Sequence, residues 1–353
     1  MKYRDYVIKR LLLLFPVVFG VSLLTFAISI SVADPVLAYL GQNATKIPAD
    51  TRAKIAHRLG FDQPWWVQYL KYMERLLNGD WGFSTSSKGP VLPLLASHFP
   101  ATVELALTAV VIGVSIGIPL GIISAIRQDK AADHVSRIFA LTGVSIPVFW
   151  FGLMLQVFLY TLNASFPFLP ILPRQFRITS PPYSAPTTIL FGTLPATGLL
   201  LVDTLLSGQF SMFVDVFMHL IPPGITLSLG LMAILSRMTR MSMVEVLRQD
   251  YILLAKSKGL RERVIIYKHA FRNALLPTLT VAGIALAGLL TGAVLTEDVF
   301  AWPGIGQIAG KALINLDIGS LQGVVILTAV LYVISNLAID LLYGFIDPRI
   351  RYD

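Results

Sequence analysis

The chain alternates between long apolar runs and shorter segments that hold its charged residues. Six of these runs reach the ~20 residues that a helix needs to cross the hydrocarbon core of a bilayer. Runs of this length exceed those expected for core helices of a soluble domain. The sequence therefore predicts an all-α polytopic membrane protein. The six predicted spans are 10–33, 102–126, 138–162, 218–238, 277–297 and 321–345.

Two of the apolar runs admit a second interpretation. The first follows "MKYRDYVIKR" and precedes "SISVADP", as a signal peptide would. Its apolar part is near 20 residues, whereas that of a signal peptide is about 7–15, so an uncleaved helix is favoured. The run 189–206 is a candidate seventh span, but it is short and contains Pro195 and Asp203. We interpret it as interfacial or packed on the external surface.

The positive charges are concentrated in alternate loops. Most of the 28 Lys and Arg residues lie in the N-terminal segment, around 127–137, in 237–277 and in the tail. Cytoplasmic loops carry such an excess, so both termini are predicted to be cytoplasmic. The same pattern explains the net charge of +8 without nucleic acid. The chain is predicted to have three parts. Residues 1–101 contain the first helix and a large external loop, and residues 346–353 form a cytoplasmic tail. The core between them, 102–345, contains a second external loop at 163–217 and a cytoplasmic loop at 237–277.

The composition agrees with a membrane protein and offers little chemistry. Hydrophobic residues make up 55% and charged residues 14%, against about 25% charged in soluble domains. There is no Cys, and the five His residues lack metal-ligand spacing. The segment "GIGQIAGKA" has Ala312 where a P-loop needs Ser or Thr to hold Mg²⁺. We therefore predict no catalytic residue, no metal and no cofactor in this chain.

The predicted spans carry few candidates for a transport path. Their middles lack Asp, Glu, Lys, Arg and His, which argues against a carrier driven by ions. Ser145 and Pro147 lie mid-span, where a proline frees a carbonyl and kinks the helix. They either line a path or only shape the bundle, and Glu104 near a span end is a third candidate. Glycines at intervals of four predict close helix packing, inside the chain or against a partner subunit: Gly113, Gly117 and Gly121.

The cytoplasmic loop 237–277 is both basic and apolar. One interpretation is an amphipathic helix on the membrane surface. The break at Lys258–Gly259 instead predicts a helix, a glycine turn and a second helix. Such an elbow suits insertion into a cleft of a soluble partner.

Several segments occur in an order that covers nearly the whole chain. They are "LGFDQPWWVQYL", "GDWGFS", "PATVELAL", "SRMTRMSMVEVLRQDY", "QDYILLAKSKGL", "HAFRNALLP", "LTEDVFAWPGIGQ" and "DLLYGFIDPRIR". Together they resemble the permeases of binding-protein-dependent ABC importers, above all the oligopeptide, dipeptide and nickel branch. The resemblance implies type I importer architecture with six transmembrane helices and extracytoplasmic loop insertions.

The resemblance also implies where ATPase subunits would couple to the chain. The general importer motif is Glu-Ala-Ala, three further residues and Gly. When its Gly is placed at Gly259, its first three positions hold Leu253, Leu254 and Ala255, so only Ala255 and Gly259 match. Tyr251 and Ala255 are expected to present one apolar contact, and Gly259 to turn where a side chain would clash. The implied coupling residues are Asp250, Tyr251, Leu254, Ala255, Lys258, Gly259, His269, Arg272 and Asn273.

The implied assembly is an ATP-driven importer in a prokaryotic cytoplasmic membrane. This chain would form half of the path, beside a second homologous permease. Two cytoplasmic ABC ATPases would bind ATP and Mg²⁺, and an extracytoplasmic solute-binding protein would deliver the solute. Short peptides are the expected substrate, with oligosaccharides, nickel chelates or another small solute as alternatives. A stand-alone carrier or channel is the remaining rival.

Overall fold

The computed structural model describes residues 3–32, 48–60, 62–165, 173, 175–179, 185–189 and 194–346. The described chain is mostly helical. The helices are α1 (Tyr3–Val32), α2 (Ala49–Leu59), α3 (Trp65–Leu77), α4 (Val91–Ile126), α5 (Ala131–Ser145), α6 (Val148–Ser165), α7 (Leu200–Leu206), α8 (Phe210–Leu247), α9 (Asp250–Ser257), α10 (Glu262–Leu290), α11 (Val294–Val299), α12 (Ile305–Ile314) and α13 (Ile318–Ile346). Two antiparallel hairpins pair β1 (Phe83–Ser84) with β2 (Gly89–Pro90) and β3 (Thr188–Ile189) with β4 (Leu194–Pro195).

The helices group into two compact units. The first comprises Met1–Thr102, Leu290–Asp298 and Pro303–Asp353, and the second comprises Val103–Leu289 and Val299–Trp302. In the first unit α1 packs against α13, and α12 also packs against α13. Helix α3 joins α1 through a hydrogen bond of 2.8 Å between the hydroxyls of Ser22 and Tyr69.

A buried carboxylate attaches the first hairpin to the start of α13. Asp317 accepts hydrogen bonds from the Ser84 hydroxyl (2.7 Å), the Ser86 amide (3.1 Å) and the Ser320 hydroxyl (2.9 Å). Burial alone would raise the pKa of Asp317, but these hydrogen bonds outweigh it and the pKa is lowered. The carboxylate therefore stays ionised and fixes the hairpin next to the helix.

The second unit is built around α8, against which α5, α6 and α7 pack. Glycines of α4 lie against the same helix. A Cβ atom at Gly117 would lie 2.8 Å from the Met232 carbonyl oxygen, and one at Gly121 would lie 2.6 Å from that of Ser236. The glycine face thus permits close packing inside this chain, which confirms the first of the two alternatives.

Five helices of the described chain are long and apolar enough to cross a membrane. They are Val91–Ile126, Val148–Ser165, Phe210–Leu247, Glu262–Leu290 and Ile318–Ile339. Each overlaps a predicted span. Residues 10–32 of the predicted span 10–33 lie in α1, whose described apolar stretch, Phe15–Ser31, is shorter than the 18 residues required of a candidate span. In its described part the run 189–206 forms β3, β4 and the short α7, and this part contains no helix long enough to cross a membrane.

The prediction of one continuous span over 138–162 is wrong. Helix α5 ends at Ser145 and α6 begins at Val148. Between them Ile146 is extended, with φ −79° and ψ 126°. The residue before a proline avoids the helical region because the proline ring clashes with it, so Pro147 breaks the helix rather than kinking it.

Other predicted boundaries also shift. The predicted span 277–297 is wrong at its end, because α10 stops at Leu290 and Gly292 has φ +98°. The predicted span 218–238 lies inside the much longer α8, and the last part of the predicted loop 34–101 belongs to α4. The first part of that loop, much of 163–217 and all of the tail after residue 346 lie outside the described residues.

Candidate functional site

The predicted elbow is present at the end of α8. Helix α9 begins directly after Gln249 and ends at Ser257, and α10 begins at Glu262. Ile252 and Ala255 of α9 are buried in a cluster that includes Met243 of α8 and Ile265 of α10. The prediction of helix, glycine turn and helix is therefore confirmed, and the elbow is packed onto its own chain.

The outward face of the elbow differs from the expected one. Leu253 and Leu254 are 54% and 57% exposed, whereas Ala255 is only 7% exposed. The prediction that Ala255 presents an apolar contact to a partner is therefore wrong, because its methyl group belongs to the internal cluster. Tyr251, at the edge of that buried face, is 36% exposed. The apolar surface that α9 offers is the pair Leu253 and Leu254.

Three of the predicted coupling residues meet where α9 lies against α10. Asn273 Nδ2 donates to Tyr251 Oη at 2.7 Å and to the carbonyl oxygen of His269 at 3.3 Å. Tyr251 Oη lies 3.4 Å from the same carbonyl. His269 lies in the π-helical stretch Ile265–Phe271 of α10. Such widened turns inside α-helices are frequent at functional sites.

The remaining predicted coupling residues are on the surface. Asp250 lies in the first turn of α9, and Lys258 follows its last turn. Both side chains are exposed, as is that of Arg272. The site therefore combines two exposed leucines with acidic and basic groups around them.

Gly259 ends the elbow's first helix for a conformational reason. Its φ is +72°, the left-handed region that glycine adopts without steric cost. Its amide donates to the Lys256 carbonyl at 2.9 Å. A Cβ atom there would meet nothing within 4 Å, so a side chain would not clash with this chain itself. The turn requires glycine because of its backbone angles.

The three path candidates lie in different surroundings. Ser145 and Pro147 are exposed where α5 meets α6, and the Ser145 hydroxyl donates to the Leu141 carbonyl at 2.8 Å. Glu104 is buried and forms an ion pair with Arg177, while the Leu201 amide donates to its other oxygen at 2.8 Å. The Glu104 carboxylate holds the segment around Arg177 onto α4, and both of its oxygens accept hydrogen bonds, while its place on a transport path stays a prediction.

A buried ion pair that the sequence pattern did not predict joins α5 to α8. Asp133 is fully buried and accepts from Arg240 Nε at 2.7 Å and Nη2 at 2.8 Å, and from the Ser124 hydroxyl at 2.5 Å. The hydrogen bonds from Arg240, ahead of those from Ser124 and the Asp129 amide, hold the pKa of Asp133 well below its usual range. The available signal was the presence of two aspartates, Asp129 and Asp133, in a basic loop.

A second buried carboxylate, Glu297, was also missed. Its oxygens accept from the Gln307 amide (2.9 Å), the Ala293 amide (3.3 Å) and the Thr102 hydroxyl (3.2 Å). Burial raises the pKa of Glu297, and these donors counteract that effect. The position of this acid inside "LTEDVFAWPGIGQ" was the available signal. Within the described ranges no group of three or more His, Cys, Asp or Glu side chains is arranged to hold a metal ion.

Known proteins are similar to this chain over nearly its whole length. Residues 3–106 match the family described as the N-terminal part of binding-protein-dependent transport system membrane components. Residues 117–352 match the binding-protein-dependent transport system inner membrane component family. The dipeptide transport system permease protein DppB of Alkalihalophilus pseudofirmus is 41% identical over 98% of this chain and 99% of its own. That of Escherichia coli is 38% identical over 99% of both, and the oligopeptide permease AppB of Bacillus subtilis is 33% identical over 98% and 99%.

Proposed function

This chain belongs to the binding-protein-dependent transport system inner membrane components, and from that premise we propose that it forms half of the translocation path of an importer of short peptides. The observation that carries the substrate class is the near-complete coverage of relatives named as dipeptide permeases. Oligosaccharides, nickel chelates and other small solutes are the alternatives within the same proposal.

The proposed assembly places the energy source outside the chain. A second permease, two cytoplasmic ATPases that hydrolyse ATP, and an external binding protein complete it. The absence of a P-loop from the sequence supports this division. We propose that α1 also crosses the membrane, which makes six spans together with the five long apolar helices. Both termini are then in the cytoplasm, because positive charges accumulate in alternate loops.

The elbow α9 is the proposed coupling element. Leu253 and Leu254 would enter a groove of one ATPase, with Asp250 and Lys258 at the rim. Two features support transmission of movement: Ile252 and Ala255 anchor α9 in a cluster with α8 and α10, and Asn273 hydrogen-bonds to Tyr251. A push on the exposed leucines would therefore reach two long helices rather than a free loop.

The test is an uptake assay in cells that carry the chain together with its partner subunits. Labelled dipeptide should enter, and unlabelled peptides should compete while an oligosaccharide and a nickel chelate do not. Leu254→Asp should abolish uptake and release the ATPases on purification, because a charge in a desolvated contact lowers affinity by about tenfold or more.

The matched control is Tyr267→Asp, which adds the same charge at an exposed apolar position of the π-helical stretch. It should retain both uptake and the ATPases. If Leu254→Asp behaves like this control, α9 is not the coupling element. If the nickel chelate or the oligosaccharide competes and peptides do not, the peptide assignment is wrong.

A further inference from the structure

A basic cleft lies between α5 and α8, away from the elbow's outward face. Its volume is about 330 Å³. Each helix contributes residues at the spacing of one helical face, with a serine followed by an arginine. The lining residues include Arg137, Leu141 and Val144 of α5, and Ser236, Arg237 and Arg240 of α8.

Small side chains explain why the cleft exists. Ser136 and Ser236 are buried, and their hydroxyls lie 3.3 Å apart. Ala140 is buried beside them. Because these side chains are short, the two helices pack closely at this level. The cleft opens beside this contact and is lined by the longer arginine side chains.

The arginines keep unused donors. Asp133 occupies two of the five N–H groups of Arg240, whose side chain is 19% exposed. Arg137 lies near Asp133 (3.8 Å) and the His134 ring (2.8 Å). Arg237 is exposed, and its guanidinium has no hydrogen-bond or ion-pair partner among the residues that the structure describes. The cleft thus holds three guanidinium groups beside one buried carboxylate, which only Arg137 and Arg240 approach, and it is complementary to an anion.

The position of the cleft along α8 matches the lipid headgroups. Between Asp215 and Arg237 the helix has no Asp, Glu, Lys or Arg. At 1.5 Å per residue this stretch is about 33 Å long, close to the ~30 Å thickness of the hydrocarbon core. Arg237 therefore marks the level at which α8 leaves the hydrocarbon. Leu141 and Val144, 64% and 51% exposed, supply an apolar wall on α5 beside the arginines.

We propose that this cleft binds the phosphate headgroup of an anionic membrane lipid, with Arg237 as its main donor and Leu141 and Val144 against the acyl chain. Basic pockets between membrane helices bind such headgroups elsewhere. A free phosphate ion offers the same anion, but it makes no use of the apolar wall. The proposal rests on the membrane location of the chain and does not depend on the substrate or on the coupling element.

The test is native mass spectrometry of the intact complex after detergent removes bulk lipid, with phosphatidylglycerol, phosphatidylcholine or inorganic phosphate added back. Phosphatidylglycerol should remain bound and phosphatidylcholine should not. Arg237→Gln should weaken retention about tenfold. Arg248→Gln removes the same charge at the end of the same helix but does not line the cleft, so it should bind as the wild type does.

Three results would overturn the proposal. Equal loss in the two variants would mean a diffuse attraction to basic loops. Binding of inorganic phosphate without retention of phosphatidylglycerol would assign the cleft to a soluble anion. Efficient cross-linking of a cysteine at Val144 to another subunit would show that a protein covers the cleft.

Discussion

Ala255→Asp tests whether the elbow is packed onto its own chain. Ala255 is 7% exposed and lies among Ile252, Ile265 and Met243, so an added carboxylate would be buried among apolar groups. An uncompensated buried charge costs about 3–5 kcal/mol. We therefore expect a large loss in the free energy of unfolding of the chain itself, and not only a weaker contact with a partner.

The assay is thermal unfolding of the purified chain in detergent. Since about 1 kcal/mol shifts Tm by about 2–4 °C in domains of 150–250 residues, Ala255→Asp should lower Tm by on the order of 10 °C. Leu254→Asp introduces the same charge at a 57% exposed neighbour and should change the free energy of unfolding by less than about 0.5 kcal/mol.

The pH dependence of Tm shows whether the buried charge or the added side-chain volume destabilises Ala255→Asp. Burial would raise the folded-state pKa of the new Asp above its unfolded value of about 3.9. The penalty is then complete above the folded pKa and disappears as the pH falls below the unfolded pKa. Ala255→Asn, which has a similar volume and does not titrate, should lower Tm without this dependence. Equal stabilities for Ala255→Asp and Leu254→Asp at neutral pH would refute the packing of α9 described above.

Two further predictions concern the turn and the buried ion pair. Gly259→Ala should lower the free energy of unfolding by about 1–2 kcal/mol through its left-handed backbone, and Gly259→Asn by less; equal losses in a thermal scan would contradict a conformational cause. Asp133→Asn should cost about 3 kcal/mol at neutral pH, because it leaves the largely buried charge of Arg240 without its partner. Because the folded pKa of Asp133 is lowered, this contribution is present above about pH 4 and is lost as the pH falls further, so variant and wild type should converge in acid in the same thermal scan.

The sequence predicted those features that depend on residues close together in the chain. The apolar runs predicted the long helices, because a segment inside a bilayer must satisfy its own backbone hydrogen bonds. Gly259 predicted the turn of the elbow, since only the local backbone angles decide it. Pro147 predicted an irregularity, and its strength exceeded the expectation because Ile146 also leaves the helical region.

The sequence could not predict which distant residues would meet. Arg177 and Glu104 are 73 positions apart, and Arg240 and Asp133 are 107 apart. Nothing in the local pattern pairs them. The same limit explains the error at Ala255: spacing shows that it lies on the same side of α9 as Tyr251, but only the packing of α8 and α10 shows that this side is internal.

Glu297 shows how a family motif can be structural in origin. Its oxygens accept hydrogen bonds from the amides of Ala293 and Gln307, so one carboxylate lies at the N-terminal ends of both α11 and α12. The Thr102 hydroxyl donates to it and accepts from the Ile305 amide at 2.8 Å, which fixes the start of α12 to α4. A Cβ atom at Gly306 would lie 2.8 Å from the Val294 amide nitrogen and 3.0 Å from the carboxyl carbon of Glu297. The second glycine of "PGIGQ" is therefore needed because the backbones of α11 and α12 must approach closely for the carboxylate to reach both helix ends.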